Sequence, residues 1–92
     1  MSGTRRTVTI VNQRGLHARA SAKFVGAVAI LPPDVAVTVA KDGHEAAGGS
    51  ILGLMMLGAA KGDSIEIVVS GNGEAEVLED LCALVEDGFG EE

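Results

Sequence analysis

The dipeptide Asp42-Gly43 stands at the end of a segment of two-residue period. Before it, Val35, Val37 and Val39 alternate with Ala36, Thr38 and Ala40; after it comes the short run His44 to Ala47. Asp-Gly supplies the positive backbone torsions of a two-residue hairpin, so the stretch predicts two antiparallel strands joined by a tight turn. Gly48-Gly49 closes the second of them.

The other elements follow from their own periods. Thr7 to Val11 alternates, with Val8 and Ile10 on one face, and Asn12-Gln13-Arg14-Gly15 breaks it. Ala18 to about Ile30 is Ala-rich and ends before Leu31-Pro32-Pro33-Asp34, where paired prolines stop a helix. Ser50 is a favourable N-cap for a short helix from Ile51 to Leu57, which Gly58 stops. Gly53 weakens that helix by about 1 kcal/mol relative to Ala, and its apolar residues run nearly all round, as in a buried helix. Ser64 to Val69 is a strand with Ile65, Ile67 and Val69 inward, and Ser70-Gly71-Asn72-Gly73 is a loop. Leu78, Leu81, Cys82 and Val85 then make the inner stripe of a third helix, capped near Gly88.

The order βαββαβα, with no repeat or dividing linker, is that of an α+β fold and one domain over residues 1–92. Thr, Lys and Glu on the outer strand faces call for one wet face, so three helices are expected on the other face of a four-stranded antiparallel sheet, an open-faced β-sandwich.

Composition narrows the function. Seven Lys and Arg against thirteen Asp and Glu leave a net charge of −6, the wrong sign for binding phosphate backbones, and with two Phe and no Trp or Tyr there is no platform for stacking bases. Nucleic acid is not the expected partner. Every apolar stretch is interrupted well short of the roughly 20 residues that span a bilayer, and no leader-like segment precedes the first polar run, so the expectation is a cytoplasmic protein with no membrane partner. Cys82 is the single cysteine and has no disulfide partner in the chain; with His17 and His44 it lacks the ligand spacing of a metal site. Cys82 is expected in the core, His44 solvated beside the hairpin turn, and Glu86-Asp87 and Glu91-Glu92 in a solvated, frayed tail.

His17 falls where a Gly-terminated loop meets a helix start, in Asn12-Gln13-Arg14-Gly15-Leu16-His17-Ala18-Arg19. The first N–H groups of a helix lack partners and carry the positive end of its dipole, which favours an anion there. Arg19 adds a planar cation able to hold phosphate oxygens in pairs, in a turn where acidic residues are usual. A neutral imidazole nitrogen is nucleophilic near pH 7, so His17 is a candidate for carrying a phosphoryl group. The plain alternative is a histidine that only caps the helix or sits in a loop.

Gly15-Leu16-His17-Ala18-Arg19 followed by Ala20-Ser21-Ala22-Lys23-Phe24-Val25 resembles the active-site segment of the HPr family, the histidine phosphocarriers of the bacterial phosphoenolpyruvate-dependent phosphotransferase system. Gly49-Ser50-Ile51-Leu52-Gly53-Leu54-Met55-Met56-Leu57-Gly58 is similar to its regulatory serine and following helix, and Ala59 to Ile65 to its entry into the last strand. The resemblance spans about Thr7 to Val85 and implies the same open-faced sandwich. It implies that Nδ1 of His17 takes a phosphoryl group from enzyme I and passes it to a histidine of an acceptor enzyme II A-type domain, with Arg19 neutralising the phosphoryl oxygens. No metal or organic cofactor is implied, and a monomer is expected; the chain is a carrier rather than an enzyme.

An excess of apolar residues, Leu16, Phe24, Ile51, Leu52 and Met55, is the expected docking surface, while Met56 and Leu57 are assigned at least as readily to the core. Ser50 serves as a helix cap and, by resemblance, as a site for an HPr serine kinase/phosphorylase, whose added charge of about −1.5 to −2 would disturb docking without unfolding the helix. Ala20 replaces a proline common in the family, and the first helix has only Lys23 besides Arg19, with Gly26 and Ala29 where sugar-type carriers often show lysines. Sugar uptake and the nitrogen-related regulatory branch are both compatible with the segment around His17. A second reading is a stoichiometric docking regulator controlled through Ser50, with transfer by His17 secondary; a third is a small structural domain.

Overall fold

In the computed structural model, which describes residues 3–91, the chain order is β1 (Thr4–Thr9), α1 (Ala18–Ala29), β2 (Ala36–Lys41), β3 (His44–Ala47), α2 (Ile51–Met56), β4 (Ser64–Ser70) and α3 (Glu74–Glu86), followed by a turn at Gly88–Gly90. The four strands form one antiparallel sheet in the order β1-β4-β2-β3, with three helices, an open-faced sandwich as the alternating pattern requires. The β2-β3 turn has Asp42 at φ 52° and Gly43 at φ 84°, both left-handed, so the twist of the turn matches that of the strands it joins.

The inner face of the sheet carries Val8, Val37, Val39, Ala46, Ile65, Ile67 and Val69, none more than 8% exposed. Helix α3 packs across β1 and β4, α1 and α2 pack on each other, and α2 touches β3. Gly73 at the start of α3 makes no side-chain cap. A glycine cap forgoes only a few tenths of a kcal/mol relative to Ser or Asp, whereas each large aliphatic side chain buried contributes about 1.5–3 kcal/mol, so Leu78, Leu81 and Val85 hold the helix regardless. Cys82 shares that stripe, fully buried, and burial pushes its thiol above the usual range.

Strand β1 begins three residues earlier than the alternation of Thr7 to Val11 indicates, because Thr4, Arg5 and Arg6 pair with Val69, Val68 and Ile67 along the sheet edge. It also ends sooner, at Thr9. Ile10 keeps the inward direction with 1% exposure, its N–H bonded to the Asp63 carbonyl at 2.8 Å, while Val11 turns outward. The loop after it is pinned to the segment before β4: Leu16 N–H reaches the Ala59 carbonyl at 2.9 Å across Gly15. Gly15 has φ 62°, and a Cβ there would stand 2.2 Å from the Ala59 oxygen, so only glycine allows this approach. That contact aims the start of α1.

The acidic end is not simply frayed. Glu86 and Asp87 are exposed as expected, but the chain then turns back and buries Phe89 to 1%. Phe89 adopts φ 58°, which costs a non-glycine residue about 1–2 kcal/mol; burying its ring returns about 1.5–3 kcal/mol, so packing outweighs the backbone cost. Glu92 lies outside the described residues.

Candidate functional site

His17 is itself the N-cap of α1, with extended torsions of φ −77° and ψ −177°. Its Nδ1 accepts the N–H of Arg19 at 3.3 Å, and its carbonyl accepts the N–H of Ser21 at 2.9 Å. Ser21 is fully buried and donates its hydroxyl to the Leu16 carbonyl at 3.2 Å, tying the cap to the loop behind it. No acidic residue lies in the first turn of α1, and Arg19 stands there exposed. The helix forms with Ala20, fully buried, in place of proline, as the helix propensity of Ala allows.

A cavity of about 400 Å³ opens beside the imidazole, lined by Arg14, His17, Arg19, Lys23, Gly90 and Glu91. Three of these side chains are cations, so the space favours a small anion whose oxygens can meet several N–H donors together. Lys23 lies one turn beyond Arg19 on the same helix face and donates to the Phe89 carbonyl at 2.7 Å. Arg14 and Lys23 both belong to the sequence around His17, and the fold brings them to the same cavity.

Glu91 is the unforeseen member. Its carboxylate meets His17 Nε2 at 2.5 Å through one oxygen and accepts from Asn12 Nδ2 at 3.2 Å through the other. The bond to His17 holds the Glu91 carboxyl below the usual carboxylate range, with Asn12 and Lys23 adding to the effect and desolvation opposing it. Asn12, 4% exposed, also donates to the Gly15 carbonyl at 2.9 Å, and its own Oδ1 has no partner. An unpaired buried acceptor costs about 1–3 kcal/mol, so the amide is oriented by what its NH2 group holds. Nothing near His17 in the chain signals Glu91, 74 residues away; the one hint is Phe89, an aromatic in an otherwise polar tail.

The expected docking residues divide. Leu16 and Phe24 are core residues, 5% and 1% exposed, and offer a partner no surface. Ile51, Leu52 and Met55 are exposed on α2, as expected. Met56, assigned to the core as readily as to the surface, is 77% exposed, because a six-residue helix resting on Leu54 can turn only one side inward; Leu57 is half-buried against the core. Ser50 caps α2, its Oγ accepting the Gly53 N–H at 2.9 Å. His44 is exposed beside its turn. Among the described residues no three of His, Cys, Asp and Glu converge on one point, and no helix is long and apolar enough to cross a membrane.

Fold and site define a class: a small open-faced sandwich that presents one histidine at a helix start among basic side chains. Residues 4–87 match the family model described as the PTS HPr component phosphorylation site. The chain is 44% identical over 87 residues to the phosphocarrier protein HPr of Neisseria meningitidis serogroup A, covering 95% of this chain and 96% of that one. It is 36% identical over 91 residues to the phosphocarrier protein NPr of Shewanella violacea, covering 99% and 98%. The crystal structure of HPr-C-His from Thermoanaerobacter tengcongensis superposes with a TM-score of 0.88 at 35% identity, covering 97% and 98%. The chain belongs to the HPr family of phosphocarrier proteins of the phosphotransferase system, a family that includes the NPr branch.

Proposed function

We propose that Nδ1 of His17 accepts a phosphoryl group from a phosphohistidine of enzyme I, charged by phosphoenolpyruvate, and passes it to a histidine of an enzyme II A-type domain. The carrying observation is the placement of Nδ1 at the start of α1, beside a cavity with Arg14, Arg19 and Lys23. Transfer of this kind needs little covalent chemistry from the carrier: the nucleophile must be aligned and the charge on the phosphoryl oxygens offset. Arg19 is the residue for the second task, since it is exposed at the helix start and free to follow the group as it arrives. An open site suits a carrier, because a phosphoryl group held too tightly would not leave.

Ile51, Leu52, Met55 and, by its exposure, Met56 form the docking face for both donor and acceptor. Ser50 stands at the edge of that face. Its phosphorylation by a serine kinase of the HPr kinase/phosphorylase type would add negative charge that the start of α2 tolerates but an apolar contact does not. The protein acts in the cytoplasm as a monomer, exposing His17 to one partner at a time. The docking-regulator reading draws on the same Ser50 position but gives no account of the cations around His17.

The test is phosphoryl uptake from phosphoenolpyruvate and cognate enzyme I by the wild type and His17→Ala. One acid-labile phosphate on the wild type and none on the variant supports the carrier; modification of Ser50 alone, with no histidine label, supports the regulator.

A further inference from the structure

The two ring nitrogens of His17 meet different partners, and those partners require the same protonation. Nδ1 faces the Arg19 N–H at 3.3 Å and is an acceptor there; Nε2 faces a carboxylate oxygen, which can only accept. Neutral imidazole satisfies both contacts with its hydrogen on Nε2 and its lone pair on Nδ1. The bond at Nδ1 is long and yields readily, whereas that at Nε2 is short and charge-assisted.

The carboxylate is anchored rather than trailing. Asn12 holds its second oxygen, Lys23 holds the Phe89 carbonyl two residues before it, and the Phe89 ring is buried. Packing of Phe89 alone would secure the tail; it does not explain an acidic side chain set against the imidazole with a buried amide behind it.

We propose that Glu91 is a positioning residue for the phosphoryl acceptor, keeping the hydrogen on Nε2 so that Nδ1 presents its lone pair, and offsetting the positive charge the ring gains on phosphorylation. This rests on the carrier reading of His17. In the step, the Nδ1 lone pair forms the new N–P bond as the N–P bond of the donor phosphohistidine breaks, and its electron pair returns to the donor ring, which leaves neutral. The hydrogen on Nε2 of His17 stays where it is, so this ring becomes an imidazolium facing Glu91. Arg14, Arg19 and Lys23 are the other charged groups lining the cavity and are available to the incoming phosphoryl oxygens. Loss of the Glu91 charge therefore shifts the phosphoryl equilibrium back toward the donor.

The test compares wild type, Glu91→Gln and Glu91→Ala in the full-length chain. Glutamine keeps an acceptor oxygen but removes the charge, so a role confined to tail packing leaves its equilibrium unmoved. With phosphoenolpyruvate-charged enzyme I as donor, the equilibrium constant for uptake is expected to fall roughly tenfold in both variants, the scale of one charge-assisted hydrogen bond partly open to water. Proton spectra should show a downfield Nε2–H signal of His17 in the wild type, moved upfield in Glu91→Gln and lost to exchange in Glu91→Ala. Uptake constants equal to wild type in both variants overturn the proposal while sparing the carrier reading. Wild type that takes up no phosphate overturns the carrier reading and with it the phosphoryl step, whatever the Nε2–H signal shows.

Discussion

The start of α1 and the face of α2 solve opposite problems. At α1 one imidazole is held from both sides, by the Arg19 N–H two residues on and by Glu91 in the distant tail, whose other oxygen Asn12 holds. At α2 a single leucine, Leu54, is buried, and Ile51, Leu52, Met55 and Met56 are exposed. A reacting atom must be placed to within a fraction of an ångström, because misplacement slows transfer steeply. A surface that meets more than one partner works better with adaptable side chains, and methionine supplies them. Under the proposed function, chemistry is built as a clamp and recognition as an open face.

The largest expected effect separates the two regions outright. Arg19→Glu places an anion where the proposed function brings the phosphoryl oxygens, and transfer from enzyme I should fall on the order of 10²-fold or more, as when a charge-stabilising donor is removed from an active site. Binding of unphosphorylated partners through α2 should survive, measured by titration calorimetry. Loss of both together would mean that the clamp and the open face are one surface.

Leu52→Asp is the converse. Leu52 is 67% exposed, so its removal should leave stability within about 0.5 kcal/mol of wild type while partner affinity drops about tenfold. A variant that unfolds early would show Leu52 to be structural and would break the contrast.

The same contrast governs how much the sequence reveals. Strands and helices were legible where apolar residues repeat at the period of their element, as in Ile65, Ile67 and Val69 or Leu78, Leu81 and Val85. The start of β1 was not, because an edge strand bonded on one side accommodates Thr4, Arg5 and Arg6 without an apolar signal. His17 and Arg19 were legible because they share a helix start. Glu91 was hidden, since the fold brings it to His17 and no local rule relates residues 74 apart. Leu16 and Phe24 were misassigned to the docking face for a related reason: hydrophobicity marks a residue for burial or for contact, and only the packing decides which.

Ser50→Ala sharpens the comparison at smaller scale. It removes the Oγ bond to the Gly53 N–H and should cost about 1 kcal/mol in denaturant unfolding, the usual worth of such a cap. Its effect on phosphoryl uptake should be small beside that of Arg19→Glu, because the cap shapes α2 and leaves His17 untouched.

The smallest effect concerns the tail alone. Glu91 has its carboxyl held below the ordinary value of 4.5, first by the bond to His17 and then by Asn12 and Lys23. A carboxyl depressed in the folded state contributes stability that is present above its unfolded value and lost as the pH falls through the folded value. The contact between Glu91 and His17 should therefore loosen only below the ordinary carboxylate range, while Phe89, with no titrating group, stays packed. Hydrogen exchange at the Gly90 and Glu91 amides, which bond to the Asp87 and Gly88 carbonyls, reads this directly. Protection that declines in acid at those two amides, with α2 unchanged, is the expected outcome. A parallel decline in α2 would mean that the tail and the docking face unfold as one unit, and that the clamp extends further than its hydrogen bonds.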